Sequence, residues 1–121
     1  MASAHVLIVD DSCVDRLVAS RVMESCNIKV TPMEGPKEAL QFLAMEHDVK
    51  LILTDYSMTD MTGYDFLLEM KKSPKLSHLP VVIMFTDDVP ETIKKCLEGG
   101  AKDYIMKPIK VADVPHLLSY I

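Results

Sequence analysis

Four charged residues stand where apolar runs stop. Val6-Leu7-Ile8-Val9 runs into Asp10 and Asp11, Leu51-Ile52-Leu53-Thr54 into Asp55, and Tyr104-Ile105-Met106 into Lys107-Pro108. In a parallel α/β sheet all strand C-termini open on one edge, where such folds place their ligands, so these charges would converge in one crevice. Carboxylates that close repel one another and raise each other's pKa unless a cation joins them. A hard divalent ion with oxygen ligands, Mg²⁺ above all, relieves that repulsion. Carboxylate, metal and lysine together make a place to hold a phosphoryl group, whose in-line transfer needs mainly positioning and charge neutralisation.

The elements that must position these residues alternate along the chain. After the first run, Val14, Leu17, Val18 and Val22 recur at helical spacing, which predicts an amphipathic helix capped by Asp11 or Ser12. A weaker strand, Ile28 to Met33, precedes a helix from Pro36 to Glu46 with Ala39, Leu40 and Leu43 on one face. Pro36 suits a first helical turn, where its missing N–H costs nothing. The third strand leads through a loop to a helix carrying Gly63, Phe66, Leu67 and Met70, stopped by Ser73-Pro74. Val81 to Phe85 is the most continuous apolar run, as a central strand covered on both faces requires. Its helix carries Ile93, Cys96 and Leu97 and ends at Gly99-Gly100. A short strand from Tyr104 to Met106 and a last helix with Val114, Leu117, Leu118 and Ile121 complete the pattern.

Five such units predict a single five-stranded parallel sheet, doubly wound, with helices on both faces and right-handed crossovers. Placing the first, third and fifth strands side by side would gather Asp10, Asp11, Asp55 and Lys107. Pattern alone does not order the strands, and the flavodoxin-like order 2-1-3-4-5, which puts the first and third together at the switch point, is the one adopted. The length of 121 residues fits one domain and excludes a complete eight-fold barrel.

A net charge of −5, from 18 acidic against 13 basic residues, argues against general nucleic-acid affinity. No run reaches the length of a membrane span, and Met1 to His5 lack the apolar core of a signal peptide. Cys13, Cys26 and Cys96 form an odd, widely spaced set without a CxxC pair, which fits reduced thiols in the cytoplasm or nucleus better than a disulfide framework or zinc site.

At these intervals the residues resemble response-regulator receiver domains over essentially the whole chain, 1–121, with no separate output domain. Val9-Asp10-Asp11-Ser12, Thr54-Asp55-Tyr56, Met61-Thr62-Gly63-Tyr64-Asp65 and Lys107-Pro108-Ile109-Lys110 followed by Ala112-Asp113-Val114 look most like the plant type-A regulators of cytokinin signalling. The resemblance implies that Asp55 accepts a phosphoryl group from a histidine-containing phosphotransfer protein. It implies Mg²⁺ on Asp11, Asp55 and the Ser57 carbonyl, with Asp10 partly through water, and Lys107 on the phosphoryl oxygens. It also implies a cis peptide bond before Pro108, dephosphorylation-rate positions at Ser57 and Asp87, and an output face on helix 4, strand 5 and helix 5. Such a domain undergoes Mg²⁺-dependent phosphorylation and autodephosphorylation rather than enzymatic turnover, and a monomer is the default.

Two departures from the family pattern stand out. Counting back from Lys107, the family's Ser or Thr at the end of the fourth strand is here Phe85. Thr86 follows, but side chains on a strand alternate faces, so only a bulge would turn its hydroxyl to the site. Losing that charge-assisted hydrogen bond weakens a phosphorylated conformation by about 1.5 to 3 kcal/mol. Phe85 also fills space into which the family moves an aromatic residue, here Tyr104. The second departure is Thr59, where the family usually carries proline; threonine loosens the loop's φ restriction, a milder change.

The expected function is therefore a receiver that takes phosphate at Asp55 but couples it poorly to conformation, a negative regulator of cytokinin signalling by competition for phosphoryl groups. The alternative is a pseudo-receiver, a non-phosphorylated interaction module. A Mg²⁺-dependent phosphohydrolase is the weakest reading, because it would want a second catalytic acid and a cap. Among the remaining polar residues, Asp15, Asp60, Asp65 and Asp103 read as solvated charge and His5, His47, His78 and His116 as scattered. The methionines read as core filler, and Lys94-Lys95 as an exposed helix face that could also meet a partner.

Overall fold

Each apolar run becomes a strand. In the computed structural model, which describes residues 4–121, β1 (His5–Val9), β2 (Lys29–Met33), β3 (Leu51–Asp55), β4 (Val81–Phe85) and β5 (Asp103–Met106) alternate with helices. These are α1 (Cys13–Ser25), α2 (Pro36–Ala44), α3 (Gly63–Lys72), α4 (Pro90–Glu98) and α5 (Val114–Leu118), the last preceded by a 3₁₀ turn, Val111–Asp113. The strands are parallel in the order β2-β1-β3-β4-β5. The first, third and fifth strands are thus not side by side, since β4 separates β3 from β5, and Lys107 reaches the carboxylates by the length of its side chain.

The pleat divides the core in two. Leu7, Val9, Ile52, Ile83 and Phe85 face one layer, where α2, α3 and α4 contribute Leu43, Phe66, Met70 and Ile93 among others. Val6, Ile8, Leu53, Val82 and Met84 face the other, against Ala19 and Met23 of α1 and Val114 and Leu117 of α5. The central strands β1, β3 and β4 are buried throughout, as expected with helices on both faces. The edge strand β2 is only partly buried and tolerates Pro32, which a central strand would not.

Most of the apolar stripe of α1 faces outward. Val14, Leu17 and Val18 are 68%, 52% and 38% exposed, while Ala19, Ser20 and Met23 are buried and Val22 only partly so. Ala19 allows close approach to the sheet and Met23 supplies volume, so the small residues turn inward and the branched ones are left outside. The helix is capped by Ser12, whose hydroxyl accepts from the Asp15 amide at 3.3 Å. Asp65 is not simply solvated charge either, because it completes a reciprocal capping box with Thr62 at the start of α3. The last helix is shorter than its apolar pattern suggests, and Ile121 lies outside it, exposed. Pro115 falls in its first turn, where a missing N–H is tolerated.

No bulge turns Thr86 inward. Pairing of β4 with β5 runs evenly to Phe85 opposite Met106, and the Lys107 amide donates to the Phe85 carbonyl at 2.8 Å. Thr86 lies past the strand end, exposed.

Candidate functional site

The strand ends carry their charges into one pocket. Asp10, directly after β1, is fully buried, and Asp55, the last residue of β3, is nearly so. Asp11 is exposed at the rim. One carboxylate oxygen from each of the three lies within 4.8 Å of the others. The approach to Asp55 depends on Gly63, whose amide donates to the Tyr56 carbonyl at 2.7 Å. A Cβ at that position would meet the Asp55 carbonyl oxygen at 2.7 Å, so only glycine lets α3 start so close to the acceptor strand.

Lys107 binds the pocket together. Its ammonium lies 2.8 Å from Asp10 Oδ2, 2.8 Å from Asp15 Oδ2 and 3.1 Å from Asp55 Oδ1, with its side chain only 10% exposed. Burial opposes the ammonium, but contacts with Asp10, Asp15 and Asp55 outweigh it and hold its pKa above the ordinary lysine range. Burial, helped by the negative charge of Asp10, pushes Asp55 up to about 6 despite the Lys107 hydrogen bond.

Asp10 tests whether the pocket suits a cation. Its Oδ1 accepts from the Ser12 amide at 2.9 Å, whereas Oδ2 touches the Lys107 ammonium as an ion pair but receives no aligned hydrogen bond. A buried carboxylate oxygen with an unfilled lone pair, beside two further carboxylates, fits a hard cation with oxygen ligands such as Mg²⁺. The residues present therefore match the expected metal.

Asp15 was read as solvated charge, and the structure corrects this. It sits in the first turn of α1, which directs its carboxylate back over the sheet edge to Lys107. The signal in the sequence was its place one turn beyond the acidic pair. Arg16, also missed, donates from Nη1 to the Asp10 carbonyl at 2.8 Å and buttresses the same loop. Thr59 donates from its amide and its hydroxyl to Asp11 Oδ2 at 3.0 and 2.8 Å.

Beside the pocket stands an aromatic row. The Phe85 ring stacks on Tyr56 at 5.2 Å and meets Tyr104 edge-on at 6.3 Å. Tyr104 is 40% exposed. Ser57, Thr86 and Asp87 line with Tyr56 and Phe85 a small cavity of about 140 Å³. The Lys107–Pro108 peptide bond is cis.

Other polar residues have structural partners away from the site. Asp103, also read as solvated charge, accepts from the Tyr120 hydroxyl at 2.7 Å and the Tyr104 amide at 2.8 Å, and pairs with His116 at 2.6 Å. Burial opposes the Asp103 ion, and these three partners outweigh it to lower its pKa. His5 is buried between Asp48 and Thr31 and far in sequence from both, a satisfied core histidine.

Comparison with known proteins places this geometry. The profile of the response regulator receiver domain matches residues 6–119. Two-component response regulator ORR12 of Oryza sativa subsp. japonica is 59% identical over 121 residues, covering 100% of both chains. Two-component response regulator ORR8 of Oryza sativa subsp. indica is 58% identical, again over 100% of each. Among solved structures, chemotaxis protein CheY4 of Vibrio cholerae superposes with a TM-score of 0.88 at 25% identity, covering 98% of each chain. A response regulator receiver protein from Pseudomonas putida gives 0.88 at 24% identity over 100% of this chain and 99% of its own, a likeness of fold.

Proposed function

This chain belongs to the response regulator receiver domain family, and from that premise we propose that it accepts a phosphoryl group on Asp55 from a histidine-containing phosphotransfer protein. The observation that carries the proposal is the buried Asp10–Asp55–Lys107 cluster with its unfilled Asp10 oxygen. It is a receiver domain of a signalling response regulator rather than a classical enzyme.

In the proposed step an Asp55 carboxylate oxygen attacks phosphorus in line, the new O–P bond forms, and the donor's N–P bond breaks with its electron pair left on imidazole nitrogen. Bound Mg²⁺, held by Asp11, Asp55 and the Ser57 carbonyl and by Asp10 through water, would neutralise charge on the transferring group. Lys107 follows the phosphoryl oxygens from its present place beside Asp55. The burial that raises Asp55 would keep bulk water from the acyl phosphate, and Ser57 and Asp87, which line the adjoining cavity, would set how quickly water reaches it.

The donor has a surface to dock on. Val14, Leu17 and Val18 of α1 are exposed, and Val18 borders the same cleft as Asp15 and Lys107. An apolar patch that reaches the cleft of Asp15 and Lys107 suits a partner that must bring its phosphohistidine to Asp55.

The switch is the finer part of the proposal. Phe85 offers no hydroxyl to a phosphoryl oxygen, and its ring contacts both Tyr56 and Tyr104, a packing that would oppose inward movement of Tyr104. The protein therefore acts as a phosphate sink that competes for phosphoryl groups and dampens a cytokinin relay, working as a monomer in the cytoplasm or nucleus. Three unpaired cysteines support a reducing compartment. Should a downstream protein bind, the α4–β5–α5 face with exposed Leu97 and Tyr104 is where it would meet the domain. The same Phe85 packing favours the second reading, a pseudo-receiver that only binds.

Transfer from a phosphorylated phosphotransfer protein, with Mg²⁺ or EDTA, separates them. Transfer requiring Mg²⁺ and lost in Asp55→Asn is expected, with activation-linked shifts at Tyr104 that appear only in Phe85→Ser. No transfer to wild type, restored in Phe85→Ser, would establish the pseudo-receiver instead. Equal Tyr104 shifts in wild type and Phe85→Ser would remove the impaired switch.

A further inference from the structure

An exposed aspartate normally samples several rotamers, and a cation that needs one of them must bear the cost of ordering it. Asp11 is the exposed member of the three-carboxylate set, yet its Oδ2 accepts two hydrogen bonds, from the Thr59 amide at 3.0 Å and the Thr59 hydroxyl at 2.8 Å. Donors to an ionised acceptor make stronger bonds than neutral pairs do. These two join residues 48 apart in sequence, tying the loop after β1 to the loop after β3. Those two loops carry Asp11 and Ser57, and Asp55 immediately precedes the second.

We propose that Thr59 is a positioning residue for Mg²⁺, holding the Asp11 carboxylate in the conformation in which the metal takes it. The inference rests on the proposal that this pocket binds Mg²⁺. Both donors engage one oxygen only, and the three carboxylates still offer one oxygen each within 4.8 Å. Because both bonds from Thr59 fall on Oδ2, Oδ1 of Asp11 is left for the metal, and tether and metal need not compete. The side chain contributes through its hydroxyl, and the backbone through an N–H that a proline there would lack. Thr59 contacts neither Asp55 nor Lys107 through these bonds, so it acts through Asp11 alone.

Mg²⁺ titration of the intact chain by calorimetry, with amide NMR shifts as a second readout, tests this without any phosphoryl donor. Thr59→Ser keeps both donors and is expected to bind Mg²⁺ like wild type. Thr59→Val keeps the shape and the amide but loses the hydroxyl, and affinity should fall about threefold; Thr59→Pro loses both donors, and affinity should fall about tenfold. Melting in EDTA checks that each variant is folded, and Thr59→Val decides the matter should proline disturb the loop. Unchanged or tighter binding in Thr59→Val overturns the proposal, as does equal weakening in Thr59→Ser. Wild type that binds no Mg²⁺ overturns this inference and the metal reading together, whereas binding by wild type and Thr59→Val alike overturns the role of Thr59 alone.

Discussion

Lys107 is the residue on which the most charge converges, and its partners divide the work between them. Asp10 and Asp55 belong to the expected metal set, so when a cation draws their oxygens, Asp15 remains as the carboxylate that keeps the ammonium over the pocket. Asp15→Asn is therefore expected to slow phosphoryl transfer to Asp55 about three- to tenfold while leaving Mg²⁺ affinity within about twofold, because positioning is lost and no ligand is. Stopped-flow transfer set beside a Mg²⁺ titration reads the split. A parallel loss of both would show that Asp15 supports the pocket generally. The acids at strand ends were legible because an apolar run that stops on a charge exposes both its position and its direction. Asp15 and Asp103 were not, since an aspartate on a helix or short strand looks solvated until a distant lysine or tyrosine is folded against it.

Among the elements, α1 gives the clearest contrast between pattern and structure. Helical spacing marks Val14, Leu17, Val18 and Val22 as an apolar stripe without saying which way it faces. Val14, Leu17 and Val18 are left outside and only Val22 touches the core, since Ala19 and Met23 fill the contact with the sheet. Strand order and helix placement were legible because short parallel units leave few topologies. The facing of a helix with two apolar sides was not, because small residues carry little hydropathy yet pack most closely. Leu17→Asp should leave folding and Mg²⁺ binding intact, since Leu17 is half exposed, and should slow transfer from the phosphotransfer protein about tenfold or more by charging the proposed docking face. Transfer from a small phosphodonor such as acetyl phosphate should be unaffected. A drop with both donors would mean that the substitution damages the pocket itself.

Across the whole molecule, the acidic pocket makes stability depend on pH in an unusual sense. Asp55 has a folded pKa raised to about 6 from 3.8, so the fold favours its protonated form. The stability this contributes is full below the unfolded value and is lost as pH rises through about 6, a change on the order of 3 kcal/mol. Urea unfolding in EDTA should then show less stability at pH 7.5 than at pH 5, with Asp55→Asn removing most of the difference and Mg²⁺ offsetting it at the higher pH. A metal-free protein that is equally stable at both would contradict the raised pKa. The aromatic row of Tyr56, Phe85 and Tyr104 bears on quantity as well as shape. If the proposed sink role holds, a domain that stores a phosphoryl group without changing its outline reports by subtraction, each copy withdrawing one phosphoryl group from a common flow. Its effect then scales in proportion to how many copies the cell makes and how long each stays loaded, so synthesis and turnover become the dial that an ordinary switch would place in its conformation.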